Sequence, residues 1–351
     1  MSKNSFIKRC ELLPVNVIAT ALGFATLSNM WALALGFPWV RIVTHVGAAI
    51  VWIMAAIKMT RCYPSFKAEY TMVVPCALYA TFSMLAMLLG AFILDIHATP
   101  IITPNPVPAL ATVGRAVWIF GLALHAVQVS VFTFRFVIKG GVKLDSFLPT
   151  WFVTYMGFLV GVVTGLPVGF PWIMQALMVY GIVVYPLVVI GQLVRIRKKP
   201  IPHMFKPTGA IFLAPPSLFF IAWLNVAQNP DLWNLNIPAV VWLSYLIVFV
   251  TIIRVATLIP GYIRLGFSPG MAALTFSSAI ATVATFRMVG WLNANGMGDI
   301  AFWLNQFFGV QMFLTTVIMV YVGYNFYFLW RKDPLKLAPA DSSAAKLTQN
   351  V

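Results

Sequence analysis

The sequence predicts an all-α polytopic membrane protein, with ten transmembrane helices arranged as five helical hairpins. Three observations carry that prediction. First, 61% of the 351 residues are hydrophobic and only 9% are charged, with a mean hydropathy of +0.91; soluble domains average about 45–50% apolar and about 25% charged residues. A water-soluble fold of this composition would expose large apolar patches. An aqueous globular enzyme, a disordered chain and a secreted disulfide scaffold are therefore excluded. Second, ten stretches reach the roughly 20 apolar residues that a bilayer crossing needs. Third, the net charge of +15 is concentrated in alternate connections, the pattern of cytoplasmic loops.

The elements follow in order. Residues 1–13 are polar and basic and read as a cytoplasmic N-terminus; Lys8, Arg9 and Glu11 precede a full-length span without a small-residue cleavage site, unlike a removable leader. The membrane domain is expected over 14–330. Polar or Pro/Gly clusters divide it. Span one (14–36) opens on Pro14, and span two (39–59) runs up to Arg61. Span three (71–93) holds Pro75 and stops before Asp95. Span four (110–134) follows a proline-rich stretch and ends at Arg135. Span five (149–168) opens on Pro149, and span six (171–194) stops at the run Arg195 to Lys199. Span seven (209–228) holds Pro215 and Pro216. Span eight (236–257) follows Asp231, span nine (269–290) opens on Pro269, and span ten (303–329) ends at Arg331. Residues 331–351 read as a disordered cytoplasmic tail.

With the N-terminus inside, 20 of the 23 Lys and Arg residues fall in inside segments, and Arg41, Arg115 and Arg287 fall near the outside. This asymmetry predicts an N-in, C-in protein of the cytoplasmic (inner) cell membrane. Trp31, Trp39, Trp118, Trp172, Trp233, Trp291 and Trp303 fall near the predicted outer boundary, where an aromatic belt is expected.

The odd spans carry a proline in their cytoplasmic half: Pro14, Pro75, Pro149, Pro215 with Pro216, and Pro269. Proline removes a backbone hydrogen bond and kinks a helix. Five kinked helices alternating with straighter ones predict a hairpin repeated five times, with the odd helices as an inner ring.

All eight acidic residues lie outside the spans. Nothing negative is expected to line a pathway through the domain, which disfavours cations and favours anions. His45 and His125, on even spans, are expected to hydrogen-bond neighbouring helices. Arg41, Arg115 and Arg287 read either as an external funnel that concentrates anions or as side chains snorkelling to headgroups. Cys10, Cys62 and Cys76 contain no CxxC pair and read as free thiols. No HExxH, GxSxG, P-loop or paired intramembrane Asp is present. No enzyme activity, metal or cofactor is expected, and no nucleic acid; the run Arg195 to Lys199 reads as topogenic and lipid-facing.

Three stretches resemble the tellurite-resistance/dicarboxylate transporter family, which includes the bacterial TehA-like proteins and the plant slow-type anion channels. Pro14-Val-Asn-Val-Ile-Ala-Thr-Ala-Leu-Gly23 is similar to its proline-led first helix. Phe212-Leu-Ala-Pro-Pro-Ser217, followed by Ala222-Trp223, is similar to its Ala-Pro-Ser motif in helix seven. Phe267-Ser-Pro-Gly-Met-Ala-Ala-Leu-Thr-Phe276 resembles its helix nine. The chain departs from the family at Asn16 and Ala19, where two early glycines are common, at Ser277, where proline usually follows the phenylalanine, and at Met271 and Ala272, which replace an aromatic pair. The resemblance implies a ring of five hairpins around a central pore in each protomer of a homotrimer. It implies Phe276 as a gate in that pore, and Asn16, Gly23, Gly157, Ser217, Thr275 and Ser277 as lining candidates. It also implies a small-anion substrate: chloride, nitrate, C4-dicarboxylates such as malate, or sulfite, with tellurite resistance among the family's effects.

Overall fold

The computed structural model describes residues 3–98, 108–227, 229–235 and 237–332; the tail read beyond Lys332 lies outside them. The described residues are mostly helical, with no strand among them. Eight helices are long and apolar enough to cross a membrane: Pro38–Arg61, Val73–Ile96, Pro108–Lys139, Pro171–Lys198, Phe205–Ala227, Pro238–Arg264, Pro269–Ala294 and Gly298–Lys332. They correspond to eight of the ten expected spans. The first span is helical over Asn16–Leu33 but carries Asn16, Thr20, Thr26, Ser28 and Asn29. The fifth divides into Trp151–Met156, Phe158–Thr164 and a 3-10 turn over Leu166–Val168.

In chain order the helices are α1 (Lys3–Glu11), α2 (Asn16–Leu33), α3 (Pro38–Arg61), α4 (Tyr63–Tyr70), α5 (Val73–Leu78), α6 (Ala80–Ala98), α7 (Pro108–Thr133), α8 (Trp151–Met156), α9 (Phe158–Thr164), α10 (Pro171–Lys198), α11 (Ala214–Ala227), α12 (Pro238–Arg264), α13 (Ala273–Ala294) and α14 (Gly298–Lys332). The N-terminal residues do more than the sequence suggested. In α1, Cys10 is fully buried, Arg9 O accepts a 3.2 Å hydrogen bond from Trp330 Nε1, and Glu11 accepts one from Ser65 Oγ.

The five inner segments close on themselves: α2 packs on α6, α6 on α9, α9 on α11, α11 on α13, and α13 back on α2. Each outer helix pairs with its own inner partner and leans on the next, as α3 does between α2 and α6, and α12 between α11 and α13. Burial follows this order. Of the apolar windows, 72–89% is buried in the third, seventh and ninth spans, against 22–33% in the even ones. Apolar side chains on the even helices face outward because lipid solvates them as well as protein does.

The prolines have a different role from the expected kinks. Pro14 and Pro149 precede α2 and α8, Pro215 and Pro216 stand in the first turn of α11, and Pro269 opens a 3-10 turn before α13. Ahead of α2 and α8 the missing N–H has no intrahelical partner in any case, so proline fits there without breaking a bond, whereas Pro215 and Pro216 sit where the 3-10 helix His203–Leu213 passes into α11. Pro75 lies in the first turn of α5, and the helix is interrupted four residues later, at Tyr79. Among the described residues, prolines lie inside the outer helices α10 (Pro186) and α12 (Pro260) and inside the 3-10 helix His203–Leu213 that leads into α11 (Pro207). Span eight, read as ending at 257, continues to Arg264 and takes Pro260 into the helix. The turn Gly-Phe-Pro recurs at residues 36–38 and 169–171, each time with the glycine at positive φ and the proline as the first residue of an outer helix.

The tryptophan belt is partial. Trp39, Trp172 and Trp303 are exposed as expected, but Trp118 and Trp291 are buried. Trp118 donates to Thr164 Oγ1 at 3.0 Å, joining α7 to α9.

A cavity closed by the inner ring

All five inner segments border one cavity of about 640 Å³. It opens at the end where residues 69–75, 205–208 and 265–270 lie, which is the end of the basic connections. The deepest residue that each segment contributes is Ala19, Met84, Gly157, Leu218 or Ser277, with Phe276 beside the last. Among the described residues no Lys, Arg or His lines the cavity, and its wall is largely apolar.

Phe276 is half-buried and borders the cavity's inner limit. Its backbone is held by a close helix contact. A Cβ added at Gly23 would lie 2.7 Å from Phe276 N and 2.8 Å from Thr275 C, so α2 and α13 touch backbone to backbone at this level. Asn16 Nδ2 donates to Pro269 O at 2.8 Å and joins the same two segments about two turns nearer the mouth.

The expected lining residues divide. Asn16, Gly157 and Ser277 border the cavity; Gly23, Ser217 and Thr275 do not. Gly23 is consumed by the α2–α13 contact. Ser217 is fully buried and donates to Leu213 O at 2.7 Å. Thr275, also fully buried, donates to Ala272 O at 2.7 Å. Both hydroxyls satisfy carbonyls of their own helix, a local bond that serine and threonine readily form. Of the six prolines, Pro14, Pro75, Pro215 and Pro269 border the cavity, while Pro149 and Pro216 do not.

His125 joins helices by hydrogen bonds, as expected, whereas the short hydrogen bond of His45 Nδ1 goes to Arg41 O of its own helix at 2.8 Å. His125, fully buried on α7, has Nδ1 2.8 Å from Ser83 Oγ on α6 and donates from Nε2 to Thr154 O on α8 at 3.0 Å. Its ring fills the space in front of Gly157, where an added Cβ would lie 2.3 Å from Cε1. His45 on α3 stacks on Phe92 with ring centroids 3.9 Å apart.

The three outer arginines have three different surroundings. Arg41 pairs with Asp95 at 2.5 Å, which neutralises it. Arg115 is exposed on the outer helix α7. Arg287 stands on the inner helix α13, half-buried, and donates from Nη2 to Asn225 Oδ1 at 2.7 Å. Asn225 in turn donates to Val162 O and Val163 O at 3.2 and 3.3 Å, which fixes the guanidinium to helices α9 and α11. None of the three ion pairs among the described residues involves Arg287. It follows Phe276 by eleven residues on one helical face, about 16 Å further along the axis at 1.5 Å per residue. The three arginines therefore do not share one environment: one is paired, one exposed and one held by Asn225.

The expectation that nothing negative lines the pathway is overturned by Glu69, whose carboxylate borders the cavity mouth. Its Oε1 accepts from Lys58 Nζ at 2.6 Å and its Oε2 from Tyr79 Oη at 2.6 Å. Lys58 is 2% exposed and also donates to Leu13 O at 2.7 Å. The sequence reading placed Glu69 in a loop two residues before span three. The available signal was Lys58, a cation inside an apolar helix that needs a buried partner.

A protein-family model described as voltage-dependent anion channel matches residues 13–328. No curated protein matches the chain.

Proposed function

The chain belongs to the voltage-dependent anion channel family, and on that premise we propose that it is a TehA-like channel that passes small anions or organic acids, with Phe276 as the gate. A multi-pass membrane protein of an anion channel and transporter family is established by that membership together with eight helices fit to cross a bilayer; it supports transport and not catalysis. The observation that carries the finer reading is the cavity itself. It enters the ring of inner helices from the basic end and stops at the level of Phe276. An aromatic ring at such a level excludes water and obliges an anion to shed its hydration shell. Selectivity then comes from diameter, from positive potential and from the cost of dehydration.

In this reading all ten helical segments cross the membrane, α2 and the α8–α9 pair included. Both termini are cytoplasmic, each protomer of a homotrimer carries its own pore, and the cavity is the cytoplasmic vestibule. Single cysteines placed in the connection at Arg197 are expected to resist a membrane-impermeant thiol reagent in intact cells and to react in inverted vesicles. Labelling from outside overturns the orientation.

Arg287 is the outer cation of this pathway. Arg287→Gln is expected to reduce anion flux severalfold at low ionic strength and less at high, because salt shortens the reach of a partly exposed charge to about 10 Å at 0.1 M. Arg115→Gln, on the outer helix, is expected to leave flux near the wild-type value. Equal losses in both variants, or a loss that ignores salt, would assign Arg287 a packing role.

A second reading, a proton-coupled C4-dicarboxylate or sulfite carrier, is favoured by one observation: an ionisable carboxylate, Glu69, on the vestibule wall. Flux from liposomes holding the purified protein, with and without a pH gradient, separates the two. The channel conducts without the gradient; the carrier requires it. No anion flux under either condition rejects both.

A further inference from the structure

Among the described residues the wall of the vestibule carries one carboxylate, Glu69, and no cation. The cation is present one layer behind. Lys58 is nearly sealed, and Glu69, with its side chain 12% exposed, stands between it and the cavity. The carboxylate is held at both oxygens by donors from two different segments, the ammonium on α3 and the Tyr79 hydroxyl at the break between α5 and α6. The phenol is set by the rings of Phe66 and Tyr70, with centroids 5.0 and 5.8 Å away. Those rings and Glu69 all ride on α4, an eight-residue helix with none of its residues buried.

We propose that Lys58 Nζ and Tyr79 Oη form an oxyanion subsite at the vestibule mouth, which the protein's own Glu69 carboxylate occupies when no substrate is present. The two donors already satisfy two oxygens of one planar group, so the site fits a carboxylate or another anion that offers paired oxygens. A halide offers one centre and satisfies one donor at a time. An entering oxyanion takes the place of the Glu69 carboxylate, which rotates toward water about its own side-chain bonds while α4, tied through Ser65 to Glu11 and through Tyr70 to Arg135, stays in place. Charge-assisted hydrogen bonds of this kind are roughly twice as strong as neutral ones, and the exchange keeps Lys58 paired throughout, so no uncompensated buried charge arises. The inference rests on the transport reading for its purpose but not for its test.

The test uses the purified full-length protein and acetate, the fragment that Glu69→Ala removes. Thermal unfolding is followed in sodium chloride and in sodium acetate at equal ionic strength. Glu69→Ala is expected to melt below wild type in chloride and to regain several degrees in acetate. The double variant Lys58→Met, Glu69→Ala is expected to show no acetate-specific gain. The proposal is overturned if acetate shifts all three proteins equally, if Glu69→Ala gains nothing, or if that variant cannot be recovered folded in acetate any more than in chloride. In liposomes, Glu69→Ala is expected to raise the acetate-to-chloride flux ratio severalfold. Absence of flux in every variant would reject the transport reading while the melting comparison still decides the subsite.

Discussion

Phe276→Ala is expected to raise anion flux through the reconstituted protein by about tenfold or more, equivalent to at least about 1.4 kcal/mol off the barrier, with the fold intact. The basis is the ring's position. Phe276 borders a cavity to which all five inner segments contribute, and Met84, Met156 and Leu218 line the same cavity. Removing the ring joins the vestibule to the space beyond it, and an anion then crosses that level with its water. A phenylalanine truncated inside a packed core costs about 3–5 kcal/mol. Phe276 is half-buried and one side of its ring faces the cavity, so fewer contacts are lost and a smaller cost is expected. Flux from liposomes and thermal unfolding of the same preparation check both halves. A variant that melts far below wild type and conducts no better would make Phe276 an ordinary packing residue and remove the gate. Phe276→Leu is expected to lie between the two, since a branched aliphatic chain narrows the level without sealing it.

The fold was legible for a reason particular to membranes. Within the bilayer every backbone group must be satisfied inside its own segment, so a long apolar stretch has to be a helix. The distribution of Lys and Arg then separates the connections by side. What composition could not reveal was the local use of single residues. Proline was read as a kink because it removes a bond from a helix interior, yet Pro14, Pro149 and Pro269 stand ahead of their helices, where no bond exists to lose. Glu69 was assigned to a loop because a span boundary was drawn at 71; in the structure the connections at the basic end fold inward and build the mouth of the cavity, so a loop residue becomes a wall residue. Arg41, Arg115 and Arg287 looked equivalent by depth, and only the packing shows that one is paired with Asp95, one exposed and one held by Asn225. Pore-facing positions on α2 were the least legible. Residues 18–23 are buried without a break, so the sequence offers no polar face to say which side meets the lumen and which meets α13.

Gly23 is where that ambiguity has the largest structural consequence. Gly23→Ala is expected to destabilise the protein, while the same change at Gly290, on α13, is expected to be neutral or stabilising. Both glycines are helical, and alanine is the better helix former at either site by about 1 kcal/mol. They differ in what an added methyl would meet. At Gly290 nothing lies within 4 Å, whereas at Gly23 the new Cβ would stand 2.7 Å from Phe276 N, 2.8 Å from Thr275 C and 3.0 Å from Thr275 Cβ. Two of those three atoms belong to the backbone, so no side-chain rotation relieves the clash and the two helices must separate. Overpacking of this kind costs about 1–3 kcal/mol; the intrinsic helix gain is common to both sites, so the gap between the variants is about 1–3 kcal/mol. Denaturation of the two variants side by side reads that gap directly. The separation also carries Phe276 with it, because the displaced atoms include its own amide. Gly23→Ala is therefore expected to change anion flux as well as stability, and Gly290→Ala to change neither appreciably. Equal stability of the two variants would mean that α2 and α13 do not touch at this level, and the seat assigned to the Phe276 ring would fall with that contact.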